Sequence, residues 1–318
     1  MTSRSEQDGS GGAGVHSTGA AAAPKSRRRQ GRGQALAWLT VLPFFLVVAV
    51  FFFLPAGVIF LDAFRATDPD TQTTRFTLDN LQQATRGGYR TAFVGSIQLS
   101  AVTAVLGTAL GLLLAQAIVT APRNALLRRL VLTASGVLAN FGGVPLAFAF
   151  IATIGNAGVV TALLKDNFGI ELGDAGFSLY SFVGLALVYL YFLIPLMVLV
   201  IVPALDGLRP QWNEAAQNLG ATRWQYWRYV GGPVLAPPVL GAMMLLFCGA
   251  FAAFATAAAM VGSTVPLVTL QISDVLSGNV LAGQENVGKA LGVGMFAVIG
   301  VLMTFYVLLQ RRTSRWFK

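Results

Sequence analysis

Charge is what this sequence has least of. Asp, Glu, Lys and Arg make up 11% of its 318 residues, against about 25% in an ordinary soluble domain. With 55% hydrophobic residues, such a chain has too little polar surface to stay dissolved by itself. Cysteine is nearly absent. The one thiol, Cys248, sits in an apolar run, so no intrachain disulfide can form and the residue reads as a small buried hydrophobe. The one histidine, His16, has no Cys/His cluster around it and gives a metal no site. Neither a G-x4-G-K-[ST] phosphate loop nor a G-x-S-x-G elbow occurs. The chain is therefore expected to be no enzyme, to bind no cofactor and to hydrolyse no ATP itself.

The few charges are placed selectively. A net charge of +9 would suit nucleic acid, but every Lys, Arg, Asp and Glu falls between long apolar runs. Ionised groups within hydrocarbon are costly, so this pattern is a topology signal and no nucleic-acid partner is expected.

A helix that spans a bilayer needs about 20 mostly apolar residues, because the hydrocarbon core is roughly 30 Å thick and each residue rises about 1.5 Å. Six runs reach that length, near 35–60, 92–119, 130–154, 179–203, 234–254 and 290–310. Alternate connections then hold 16 and 6 basic residues. Basic residues accumulate on the cytoplasmic side of short loops, so both termini are expected in the cytoplasm. The fold class expected is an all-α integral membrane protein with six transmembrane helices.

Three regions qualify this picture. Residues 1–34, rich in Gly, Ser, Ala and Arg, read as a disordered basic cytoplasmic tail that touches anionic membrane lipid through Arg27 to Arg32. The first apolar run has 26 residues without a charge, too long for the apolar part of a signal peptide, so it is expected to stay as a span. The stretch 229–273 is uncharged and long enough for two crossings, but Gly262, Ser263, Thr264 and Pro266 form a breaker cluster. One span followed by a folded or re-entrant extracellular piece within 257–289 is expected there, and a basic cytoplasmic end at 311–318.

The most informative segment is the fourth connection, 206–233, DGLRPQWNEAAQNLGATRWQYWRYVGGP. Pro210 suits a first helical turn. Trp212, Ala215, Ala216 and Leu219 recur at helical spacing as one apolar face, and Gly220 stands where a helix closes with a left-handed residue. Thr222 and Gln225 fit a capping box that starts a second helix. Trp224, Tyr226, Trp227 and Tyr229 suit the headgroup layer, and Pro233 marks the return to the membrane.

Glu214, Ala215, Ala216, Gly220, Val230 and Pro233 match the pattern E-A-A-x3-G-x9-I-x-L-P, with Val230 for Ile, Gly232 for Leu and Ala221 in the place of the Ala that often follows the Gly. In this the chain resembles the permease subunits of bacterial ATP-binding-cassette importers of type I. The resemblance implies that Glu214, Ala215, Ala216, Gly220 and Ala221 dock on a cytoplasmic ATPase subunit. It further implies a second permease subunit, homologous or identical, two ATPase subunits that carry the ATP and Mg, and an extracytoplasmic solute-binding protein. The segments at 140–150 and 253–260 look more like the polyamine, phosphonate and ferric-iron branch than the sugar branch, with a polyamine as the substrate expected.

A secondary carrier would place ionisable residues inside its spans, and a channel would need a filter loop or a ring of charge. The spans hold neither, although a carrier or channel working without an ATPase stays the alternative. A path built from neutral groups is expected around Asn140, Gly142, Gly143 and Pro145, where glycines and proline loosen the third span and free backbone groups. Pro195, Pro237 and Pro238 are expected to kink their helices.

Overall fold

The computed structural model describes residues 41–67, 74–120, 125–170, 173–174, 176–262, 264–277 and 285–313. The expected tail at 1–34 with His16, the first residues of the first span, Ser263, and Arg315 and Lys318 of the basic end lie outside them. Residues 1–56 and 57–318 are two compact units, and the packing below is that of the second.

Six helices are long and apolar enough to cross a membrane. In chain order the described elements are α1 (Val41–Ala63), β1 (Arg65–Thr67), β2 (Thr74–Phe76), α2 (Asp79–Ala84), α3 (Gly87–Thr120), α4 (Ala125–Asn140), α5 (Val144–Ile154) and α6 (Val159–Phe168). They continue as α7 (Phe182–Asp206), α8 (Pro210–Asn218), α9 (Arg223–Ala252), α10 (Ala255–Met260), α11 (Val268–Leu276) and α12 (Glu285–Thr313). The six candidates are α1, α3, α5 with α6, α7, α9 and α12.

Helices α3, α7 and α9 pack together, with α4 against α7. Leu185, Val188, Tyr189, Leu193, Met197 and Ile201 of α7 are fully buried. The reason lies on α3, where Ser96, Ser100, Thr103, Gly107, Gly111 and Ala115 form a small-residue stripe at helical spacing, all buried. In lipid, helices associate through close packing rather than through hydrophobic drive, so small residues mark the contact. A Cβ placed on Gly111 would stand 2.5 Å from the Met197 Cβ. Ser100 and Thr103 donate to the backbone oxygens of Ser96 and Leu99 at 2.7 Å, and Ser96 Oγ accepts from the Val268 N–H at 2.9 Å.

The third span departs from expectation. Residues 130–154 do not form one helix: α4 ends at Asn140, 141–143 are non-helical, and α5 begins with Pro145 in its first turn. The run is broken outright rather than loosened, and Gly143, at φ +77°, stands at the start of the next helix in a backbone conformation that no α-helix can continue through. The apolar run continues instead through α5 and α6, joined by a turn at 155–158.

The fifth span also differs. Expected to begin near Val234 behind a separate interfacial helix, it starts at Arg223 and runs without a break to Ala252. A π-helical turn, Trp227–Gly231, makes this possible. There the Gly232 N–H bonds back to Trp227 O, and the wider turn makes room for the ring of Pro233, which would clash with a carbonyl four residues back. Helix α1 repeats the arrangement, with a π turn at Ala49–Phe53, a bond from the Leu54 N–H to Ala49 O, and Pro55 next. Pro195, Pro237 and Pro238 all stand inside continuous helices.

At the end of the molecule remote from α8, the antiparallel β1–β2 pair follows α1. Lys289 Nζ lies 3.0 Å from an Asp62 carboxylate oxygen, and the Asn286 and Asn80 amides donate to Arg65 O at 2.8 and 2.9 Å. This network fastens the end of α1 and the hairpin to α12. The uncharged stretch folds as anticipated into one span and a folded piece. Helices α10 and α11 double back, bringing the Thr269 hydroxyl to 3.5 Å from Ala253 O.

Candidate functional site: the α8 groove and a paired helix break

Helix α8 begins with Pro210 in its first turn and ends in a paired closure. The Ala221 N–H bonds to Ala216 O and the Gly220 N–H to Gln217 O, each at 2.9 Å, with Gly220 at φ +77°. This is the glycine-closed helix end anticipated from the sequence. Thr222 then caps α9: its hydroxyl accepts from the Gln225 N–H at 3.3 Å, while its own N–H donates to the Gln225 side-chain oxygen at 2.7 Å. Only 219–222 separate the two helices, so α8 is held at a fixed angle to α9.

The turn brings together an apolar face that neither helix covers. Trp212, Ala215 and Ala216 of α8, Leu219 just after it, and Val230, Val234 and Pro237 of α9 line an open groove of about 720 Å³. Leu219 is 88% exposed. Of the five anticipated docking residues, Ala215 and Ala216 form the floor, Gly220 makes the turn, Ala221 is half-buried beside it, and Glu214 is exposed but is no part of the groove wall. Val234 and Pro237 were missed as site residues. Their signal was available, since 230, 234 and 237 share one face of a helix.

Beside the groove, Asp206 at the end of α7 pairs with Arg128 of α4. Both side chains are about two-fifths exposed, and a pair of that kind contributes about 0.2–1 kcal/mol. Its value is positional, fixing the start of the loop that carries α8. Arg128→Asp is expected to lower the melting temperature in detergent by a few degrees, and adding Asp206→Arg to recover most of it. An unrecovered double variant would show that the pairing does not matter.

The second place of interest is the interruption at 141–143. Gly143 donates its N–H to Thr256 Oγ1 at 2.9 Å, and the Thr256 hydroxyl reaches Gly143 O at 3.2 Å. Thr256 lies just beyond the interruption between α9 and α10, so two broken helices meet here. Ala253 O at the second interruption accepts from the Tyr189 hydroxyl at 3.1 Å. Tyr189 is seven residues from the start of α7 and seventeen from its end, which sets this level roughly 10 Å from one end and 25 Å from the α8 end. Asn140 donates its amide to Gly136 O of its own helix at 2.9 Å and stays uncovered, with Phe141 and Phe254. Gly142, Gly143 and Pro145 do stand together; the Thr256 and Tyr189 hydroxyls were not foreseen.

The family described as the binding-protein-dependent transport system inner membrane component matches residues 107–317. The chain belongs to this family. It is a multi-pass inner membrane protein with the type I permease fold.

Among curated relatives, the permease is 38% identical over 68 residues to the sulfate transport system permease protein CysT of Escherichia coli, a match over 21% of this chain and 24% of that one. To the ferric transport system permease protein FbpB of Actinobacillus pleuropneumoniae it is 26% identical over 154 residues, 48% of this chain and 21% of that one. To the thiamine transport system permease protein ThiP of Escherichia coli it is 28% identical over 115 residues, 36% and 21%. The alignments thus span about a quarter of the length of these relatives. A solved bacterial ABC transporter involved in the import of the acidic polysaccharide alginate superposes with a TM-score of 0.70 at 18% identity, over 89% of this chain and 98% of that one. That likeness is one of fold.

Proposed function

We propose that this permease is the membrane-spanning subunit of an ATP-driven importer, and that its α8 groove receives a separate ATPase subunit. The observation that carries this reading is the groove itself. A short helix set rigidly at the end of the spans leaves an apolar trough floored by two alanines, the form into which a partner's apolar ridge fits. The match of Glu214 to Gly220 to the importer loop pattern supports it.

In this reading both termini and α8 face the cytoplasm, as the 16 to 6 distribution of basic residues favours. The chain pairs with a second permease subunit. Two ATPase subunits bind ATP and Mg, and an extracytoplasmic binding protein delivers the solute; a neighbouring structure holds an alginate transporter with a periplasmic protein bound to alginate. The path passes the exposed flank of Asn140 and Phe141. Among the described residues it offers amide and backbone groups but no ionised side chain, which favours solute choice by the binding protein. Relatives named for sulfate, ferric and thiamine transport favour a small ion or vitamin-sized solute over the polyamine expected from the sequence.

Reconstitution tests the reading. In proteoliposomes that contain the permease pair, the ATPase and the binding protein, uptake of radiolabelled solute should require both ATP and the binding protein. Sulfate, iron, thiamine and polyamine compete in the same assay. Uptake by the chain alone, driven by a proton or sodium gradient, would establish the carrier alternative.

A further inference from the structure

We infer that the Thr256 hydroxyl is a latch joining the two broken spans, and that parting it is a step in opening the path. The proposal rests on the permease reading.

The two interruptions sit on different elements, 141–143 between α4 and α5 and 253–254 between α9 and α10. Each is a joint without helical backbone bonds across it. Gly143 has a problem that its own helix cannot solve. Its carbonyl takes the Ala147 N–H at 3.2 Å, but its N–H precedes the helix and finds no carbonyl there. At membrane depth such a group must be satisfied by protein or water. Thr256, 3% exposed, meets the N–H and touches the carbonyl with one oxygen. The other joint is served likewise, Ala253 O taking the Tyr189 and Thr269 hydroxyls. Hydroxyls rather than helical ladders therefore hold the joints closed.

One flank of the pair is open. Asn140, Phe141 and Phe254 are uncovered while Thr256 and Leu146 are buried behind them. If α5 and α10 separate, the Gly143 N–H loses its acceptor, and only water or a passing polar solute can replace it. The joined state is thus the dry one and the parted state the wet one. A threonine is suited to this, because its hydroxyl is donor and acceptor at once. Valine has the same shape and neither function. Removing the hydroxyl leaves the Gly143 N–H unpaired in the joined state, which takes away what favours closure.

The test uses the reconstituted complex with ATPase and binding protein. Thr256→Val should raise ATP hydrolysis in the absence of binding protein at least threefold and let labelled solute leak, while Thr256→Ser keeps the native rates. A valine variant with native basal hydrolysis and no leak overturns the latch. The second measurement locks it. A Cβ on Gly143 would lie 3.8 Å from the Ala255 Cβ, the mean spacing of a disulfide. Gly143→Cys with Ala255→Cys, in a Cys248→Ala background, should crosslink on oxidation, lose uptake and regain it on reduction. Failure to crosslink, or full uptake while crosslinked, contradicts the proposal. A native assembly without any ATPase activity would refute the permease reading instead.

Discussion

Ala216→Trp is expected to abolish uptake while leaving the chain folded. The indole would occupy the floor of the groove between α8 and α9, the place where the proposed function seats an ATPase ridge. Large effects in interfaces concentrate in such central pockets, where a disturbed anchor costs about 2–4 kcal/mol, or roughly 30- to 1,000-fold in affinity. The residue is only partly covered in the single chain, so the melting temperature should move by no more than about 2 °C. Uptake is expected to fall at least tenfold, with the ATPase lost from the purified complex. Glu214→Ala, exposed and outside the groove wall, should cost less than a third as much uptake. If Ala216→Trp transports normally, the groove is not the docking surface.

Gly111→Leu has the opposite signature. Added atoms would run into Met197, whose Cβ would be 2.5 Å from the new Cβ, and into Ile194 O at 3.0 Å. Both belong to α7, the most buried of the six candidate spans. Since α3 and α7 are joined through the small-residue stripe, neither can yield without opening the centre of the bundle. Overpacking of this kind costs about 1–3 kcal/mol or more, so the melting temperature should fall by about 2–5 °C or more, or the chain should fail to accumulate in the membrane. Gly136→Leu is the control, because nothing stands within 4 Å of a Cβ there; it should melt like the native chain. Equal melting of the two variants would mean that the α3–α7 contact is looser than described.

Much of this was legible in the sequence because its causes are local. Five of the six 20-residue apolar runs, the glycine closure at Gly220 and the Thr222–Gln225 cap each depend on residues close to one another in the chain, and each is realised. What stayed hidden depends on distant partners or on adjustments of the helix itself. The π turn before Pro233 lets α9 run through a proline that reads as a boundary. Gly142 and Gly143 announced a weak point in the third span, but not that the helix stops, nor that Thr256, 113 positions away, closes the gap. Asn140, expected beside a path, turns its amide to the backbone of its own helix. Val234 and Pro237 belong to the groove only because α9 continues unbroken past Pro233.

The proposed coupling of this chain to an ATPase through α8 is tested most directly by co-purification with crosslinking. A tagged chain carrying Ala216→Cys and Cys248→Ala is extracted from its native membrane in mild detergent, treated with a short thiol crosslinker, and the attached protein identified by mass. The expected result is one nucleotide-hydrolysing subunit per permease chain, joined at position 216. A chain that purifies without such a subunit, and still carries solute across proteoliposomes unaided, would contradict the account.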